Sequence, residues 1–170
     1  DMDEYFQAKA SLFSQKYQPK EKESWAIING DDPYGAKLAS LCEGRVVYRF
    51  GQDSRWEFSF SIIKEDLGGC EFFLNGPGSF EQTLHIPMLG SHNVYNGVGA
   101  IVALYALGYD LQSLCRGLST FPGVPGRLES IESPRGHRAF VDYSHTVDAL
   151  KHAILSLQKI KKPHQKLWTL

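Results

Sequence analysis

Three things are scarce in this sequence of 170 residues, and each scarcity closes off a class of function. Charge of one sign is scarce: 18 Lys and Arg stand against 19 Asp and Glu, a formal net charge of −1. That leaves no basic footprint for nucleic acid or for an anionic membrane surface. Cysteine is scarce: Cys42, Cys70 and Cys115 are odd in number, far apart and form no Cys-x-x-Cys pair, which argues against a zinc site and for reduced, buried thiols. Long apolar runs are missing, so no segment predicts a membrane span. The opening Asp1-Met2-Asp3-Glu4 is not a basic-then-apolar signal sequence. There is no Gly-x-x-x-x-Gly-Lys-Thr phosphate loop, no Gly-x-Gly-x-x-Gly, no internal repeat and no low-complexity tract. A cytoplasmic globular protein with one substantial core fits this composition.

The pattern predicts an α/β start. Asp3 is a candidate cap for a first helix running to about residue 16. Trp25-Ala26-Ile27-Ile28-Asn29 reads as a short strand. Asp32 and Pro33 then start a helix that ends near Gly44, and residues 45–50 form the next strand. Strand, helix, strand in that order indicates a parallel unit. From Trp56 to Ile86 the character changes. Three alternating segments separated by Gly68-Gly69 and Gly76-Pro77-Gly78 predict antiparallel strands. Helices are expected over residues 93–107 and 111–121, strands over 127–132 and 137–143, a helix over 147–161, and the first half of a buried strand over 166–170. Both ends read as cut. Phe121-Pro122-Gly123-Val124-Pro125-Gly126 marks the expected domain boundary, dividing the chain into 1–124 and 125–170.

Four polar clusters at helices and loop junctions are candidate sites. Lys9 lies among Tyr5, Phe6, Leu12 and Phe13, and is either a snorkelling surface lysine or one held near an active site. His92 and Asn93 precede an apolar helix with Asn96 one turn further in. Capping accounts for Ser91 or Asn93, but an amide at Asn96 needs another partner, such as a base or sugar. Arg127 follows Gly123-Val124-Pro125-Gly126, where glycines allow close backbone approach and the guanidinium offers a fork for phosphate. A loop with a surface arginine is the alternative. Asp142, Tyr143 and His145 sit in a strand-to-helix turn, where open α/β sheets bind ligands. Asp148 reads as a helix-start acid beside the dipole.

The segments Tyr5-Phe6-Gln7-Ala8-Lys9-Ala10-Ser11-Leu12-Phe13, Ile28-Asn29-Gly30-Asp31-Asp32-Pro33, Leu89-Gly90-Ser91-His92-Asn93-Val94-Tyr95-Asn96, Gly123-Val124-Pro125-Gly126-Arg127-Leu128-Glu129 and Asp142-Tyr143-Ser144-His145-Thr146-Val147-Asp148-Ala149-Leu150 stand in the order and approximate spacing of the Mur ligases. The resemblance runs end to end, and the Gly-Val-Pro-Gly-Arg and Asp-Tyr-Ser-His combination resembles the MurE type. It implies an incomplete central ATPase domain, with a parallel sheet, helices and a small antiparallel sheet. The start of a Rossmann-like C-terminal domain follows.

The activity it implies is ATP-dependent amide formation through an acyl phosphate. Diaminopimelate or lysine would be joined to UDP-N-acetylmuramoyl-L-alanyl-D-glutamate for the peptidoglycan wall. The implied cofactors are ATP and Mg2+. Lys9 matches a family lysine carbamylated to ligate magnesium. Asn96 matches an adenine-binding residue, Arg127 one near the phosphates, and Asp142 one on the ribose. Tyr143, His145, His92 and Asn93 fall in the same nucleotide-binding motifs. The chain departs from the family pattern at Val147, usually proline, and Ser144, usually alanine. The phosphate loop and both substrate pockets would lie elsewhere in the parent enzyme, so this piece alone would be inactive. Another superfamily ligase, such as a folylpolyglutamate synthase, or a non-catalytic nucleotide-binding module is the alternative.

Overall fold

A computed structural model describes residues 1–13, 24–42 and 44–169. The first helix, α1 (Met2–Ala10), runs on into a 3-10 turn at Ser11–Phe13. Its cap is Asp1 rather than Asp3. The Asp1 carboxylate accepts from the Glu4 N–H at 2.9 Å, and Glu4 reaches back to the Asp1 amino group in a capping box. The expected extension to residue 16 lies partly outside the described residues.

One five-stranded sheet carries the fold, in the order β1 (Trp25–Asn29), β2 (Val46–Gly51), β3 (Phe58–Asp66), β4 (Gly69–Gly76), β5 (Phe80–Ile86). The expected parallel and antiparallel regions are thus two halves of a single sheet. Strands β1 and β2 pair in parallel across the helix α2 (Pro33–Ala39), which starts where predicted. Asp32 caps it by accepting from the Tyr34 N–H at 2.8 Å, and Pro33 occupies the first turn. It stops at Ala39, short of Gly44.

Strands β2 and β3 are also parallel, yet only residues 52–57 join them, where a parallel connection normally takes a dozen or more. The stagger explains this. Only Phe50 and Gly51 of β2 pair with Phe58 and Ser59, so β3 begins where β2 ends and no return crossover is needed. The rest of β3 pairs antiparallel with β4, and β4 with β5, past a bulge between Ile62 and Lys64.

Helices α3 (Ser91–Ala106) and α4 (Leu111–Ser119) cover the sheet. Phe58, Phe60, Phe72, Leu74 and Ile86 from the strands meet Val94, Val98, Val102 and Cys115 from the helices, all essentially sealed from solvent. Edge-to-face ring pairs knit them together: Phe60 with Phe72 at 6.1 Å, Phe60 with Tyr95 at 4.8 Å, and Phe58 with Tyr105 at 5.3 Å. Such pairs add about 0.5–1.5 kcal/mol each beyond burial. Cys42, Cys70 and Cys115 are buried free thiols.

After α4 the chain forms a separate antiparallel pair, β6 (Glu129–Glu132) with β7 (Arg138–Val141), then α5 (Val147–Ile160) capped by Thr146. The strand expected at 166–170 is not formed over 166–169, where Trp168 is 80% exposed. An apolar segment becomes a strand only beside a partner edge, and residues 166–169 pair with none of the described strands.

Candidate functional site

The seam between α3 and α4 on one side and the β6–β7–α5 unit on the other is a cavity of about 730 Å³. Asn96 enters it from α3, Arg127 from the loop before β6, and Asp142 from the turn after β7. His92 and Asn93 line it as well. The walls are apolar: Met88, Ile101, Leu104, Leu118 and Phe121. A mostly apolar cleft with a few converging polar groups is what an aromatic base and its polar appendages need.

Each polar group has a local cause. Gly90 precedes α3 at φ +91, and a Cβ there would lie 2.3 Å from the His92 ring, which folds back over it. That contact requires glycine. No side chain caps α3, so the capping expected of Ser91 or Asn93 is not found. The Asn93 amide instead donates to the Leu89 carbonyl at 2.7 Å and is buried, making it a brace for the loop. Asn96 is exposed to the cavity, and its amide bonds to no other described residue.

On the other side, Leu128 holds an unusual positive φ of 47, at a cost of about 1–2 kcal/mol for a non-glycine residue. Burial of its side chain and the bond from its N–H to Asp142 Oδ2 at 2.9 Å offset that cost. The other Asp142 oxygen accepts from the Ser144 N–H at 2.9 Å and from the Ser144 hydroxyl. Partial burial pushes the Asp142 pKa upward, but the Ser144 and Leu128 bonds outweigh it, with help from the Arg127 charge. The net shift is below the usual carboxylate value. Among the described residues Arg127 forms no ion pair, so its guanidinium is available to an anion. Partial burial lowers the His92 pKa, with Asp142 pulling it back up.

Tyr143 and His145 do not line the cavity. Both are exposed and pack on each other edge to face at 5.6 Å, with His145 Nδ1 3.1 Å from the Tyr143 carbonyl. Odd and even positions of the turn face opposite ways, so Asp142 and Ser144 point in while Tyr143 and His145 point out. Lys9 is elsewhere too, in a smaller groove of about 260 Å³ with Tyr5, Asn29, Asp32 and Tyr34. It is exposed, with its ammonium 5.5 Å from the Tyr5 ring centroid.

Three participants escaped sequence reasoning. Ser144 lines the cavity and bonds Asp142, and His152 lines it from α5. Asp31 gathers four donors beside α3. Asp31 carried a signal in the Asn-Gly-Asp-Asp-Pro turn at a strand end, and Ser144 had shown only as a departure from the family pattern.

Among the described residues no three His, Cys, Asp or Glu side chains gather as a metal site. For magnesium the described residues offer no complete ligand set; a carbamate on Lys9 would be one ligand, with Asp32 lining the same smaller groove. For an adenine nucleotide the cavity's size, apolar walls and donor set fit.

Residues 1–104 match the family described as the Mur ligase middle domain. A UDP-N-acetylmuramoyl-L-alanyl-D-glutamate–2,6-diaminopimelate ligase from Streptomyces avermitilis is 33% identical over 94% of this chain and 31% of its own length. The ligase of the same name from Gloeobacter violaceus is 38% identical over 89% of this chain and 30% of its own. The chain thus spans about a third of the relatives it matches. The crystal structure of MurF from Acinetobacter baumannii superposes with a TM-score of 0.82 over 94% of this chain and 34% of its own, at 22% identity, a likeness of fold. The chain belongs to the Mur ligase family.

Proposed function

We propose that the protein to which this chain contributes is an ATP-dependent amide-forming ligase of the MurE type. It would join diaminopimelate or lysine to UDP-N-acetylmuramoyl-L-alanyl-D-glutamate in peptidoglycan synthesis. The observation that carries the reading is the convergence of Asn96, Arg127 and Asp142, from three separate segments, on one apolar-walled cavity.

In this reading the Asn96 amide offers a donor and an acceptor to the adenine edge, between walls that include Leu118 and Phe121. Asp142, ionised and held by Ser144 and Leu128, accepts from the ribose hydroxyls. Arg127 meets the phosphates with a planar fork. The reaction moves a phosphoryl group onto a substrate carboxylate, and an amine then displaces phosphate from the acyl phosphate. Charge builds on phosphoryl oxygens, so cationic groups assist. Magnesium would supply more of that positive charge. A carbamate on Lys9 would offer it a hard oxygen ligand. In this reading the chain divides into residues 1–124, the later part of the middle domain, and 125–170, the start of the C-terminal one, with the nucleotide bound between them.

The full-length enzyme tests this. It should couple the UDP-dipeptide to diaminopimelate or lysine only with ATP, releasing ADP and phosphate. Asn96→Ala should raise the KM for ATP about tenfold, the scale of one or two lost hydrogen bonds. Lys9→Ala should abolish turnover and be restored partly by a short carboxylic acid. Absence of ATP-dependent coupling with either amino acid would refute the reading.

A further inference from the structure

Asp31 has no assigned part in any of this, yet it organises the space between the two grooves. It stands just after β1, in the turn whose Asn29 and Asp32 line the Lys9 groove. Its Oδ1 accepts from Trp56 Nε1 at 2.8 Å and, more weakly, from the Asp53 N–H at 3.4 Å. Its Oδ2 accepts from the Gln52 N–H and from the Tyr95 hydroxyl, both at 2.6 Å. Gln52 also donates its side-chain amide to the Tyr95 oxygen at 3.0 Å. Four donors from the β2–β3 loop and from α3 thus meet one carboxylate.

The surrounding backbone makes room for it. A Cβ on Gly51 would lie 2.5 Å from the Asp31 carboxylate, and one on Gly30 would lie 2.4 Å from the Trp56 indole. No side chain fits at either position without displacing the network. Tyr95 is the residue before Asn96. Its ring is packed edge to face on Phe60 while its hydroxyl is held by Asp31, so both ends of the side chain are fixed. Adjacent residues differ by about 100° around a helix axis, so fixing Tyr95 on the sheet side sets the direction in which Asn96 leaves α3. Partial burial pushes the Asp31 pKa up, but the Tyr95, Gln52, Trp56 and Asp53 bonds outweigh it and hold the group ionised.

We infer that Asp31 is a positioning residue for nucleotide recognition: through Tyr95 it aims Asn96 into the cavity, and through its own turn it couples that aim to the Lys9 groove. This rests on the nucleotide reading of the cavity. An isosteric amide cannot replace the carboxylate, because every partner donates and Asn would set a second donor against one of them.

The test is a double-mutant cycle in the full-length enzyme, read by the KM for ATP, the KM for the acceptor and kcat. Asp31→Asn should raise the KM for ATP about tenfold. Tyr95→Phe, which keeps the ring on Phe60, should raise it about threefold. The acceptor KM should stay within about twofold for both variants. In an Asn96→Ala background, Asp31→Asn should add less than about twofold, since the residue it acts through is gone. An equal loss in both backgrounds, or a parallel rise in every KM, would overturn the inference and leave the nucleotide reading standing. A wild-type enzyme that does not use ATP would remove both. Should Asp31→Asn not fold, Tyr95→Phe in the two backgrounds decides alone.

Discussion

The sheet with α3 and α4, and the β6–β7–α5 unit, are held together in opposite ways. The first closes around a cluster of fifteen buried residues among those described, several of them phenylalanines at the centre of ring pairs. The second has only Leu128 and Ala153 buried against Leu89 of the first, with Phe140, Leu157 and Ile160 half covered, and every residue of β6 is exposed. Polar ties do the rest: Lys159 to Glu65 at 2.8 Å and Arg138 to the Leu67 carbonyl at 3.2 Å, both onto the β3–β4 hairpin. The cavity proposed to take the nucleotide lies on the seam. Asn96 is presented by the firmly packed side, while Arg127 and Asp142 are presented by the lightly packed one. On the proposed reading, a site divided this way has its base pocket fixed while its phosphate and ribose contacts depend on how well the second unit is seated.

The largest test of that contrast is Phe72→Ala. The ring is fully buried and paired with Phe60. Its loss should cost about 3–5 kcal/mol and lower the main unfolding midpoint in denaturant. Phe140→Ala, in the second unit and only half-buried, should shift that midpoint far less. Equal shifts would mean that the two regions share one core.

Next is Lys159→Ala. The Glu65 side chain is 4% exposed while Lys159 is 65% exposed, so the lysine can leave cheaply but strands a nearly buried carboxylate. Leaving such a group unsatisfied costs about 1–3 kcal/mol. The loss should appear as faster amide hydrogen exchange in α5 and β7, with β4 protected as before. Faster exchange throughout the sheet would break the division between the regions.

The two regions also differ in how far the sequence announces them. Strand β5 runs over the predicted Phe80–Ile86 because Gly76-Pro77-Gly78 punctuates it and Leu84 and Ile86 alternate with polar residues. Helix α2 starts at Pro33 because its cap is local. Asn96, Arg127 and Asp142 could be picked out because each sits beside a local break in pattern. The Asp31 network could not, since its donors are 21 to 64 positions away and meet it only after folding. Tyr143 and His145 were expected beside Asp142, yet a turn that faces Asp142 inward must face its odd-numbered neighbours out. Lys166 to Leu170 has the composition of a strand, but composition does not supply an adjacent edge.

The smallest effect concerns acid, and it compares one carboxylate from each side of the seam. Asp31 and Asp142 each collect several donors, and each has its pKa moved below 3.8 by hydrogen bonds that outweigh partial burial. A carboxyl group that binds its proton less readily when folded stabilises the folded form at pH above its unfolded value. That contribution disappears as pH falls through the lower, folded value. Both contributions should therefore be intact at pH 5 and fade below about pH 4. Where they are lost should differ. Protonating Asp142 releases Leu128 and Ser144 in a unit with little core to hold it, so exchange should quicken first in β6, β7 and α5. Protonating Asp31 releases Tyr95, but Phe60 and the sheet still grip its ring, so α3 should stay protected to lower pH. Asp142→Asn should remove most of the acid sensitivity of the second unit and none of that of α3. NMR titration of the two side-chain carboxyls checks the premise, and a midpoint at or above 3.8 for either would remove that residue's half of the prediction.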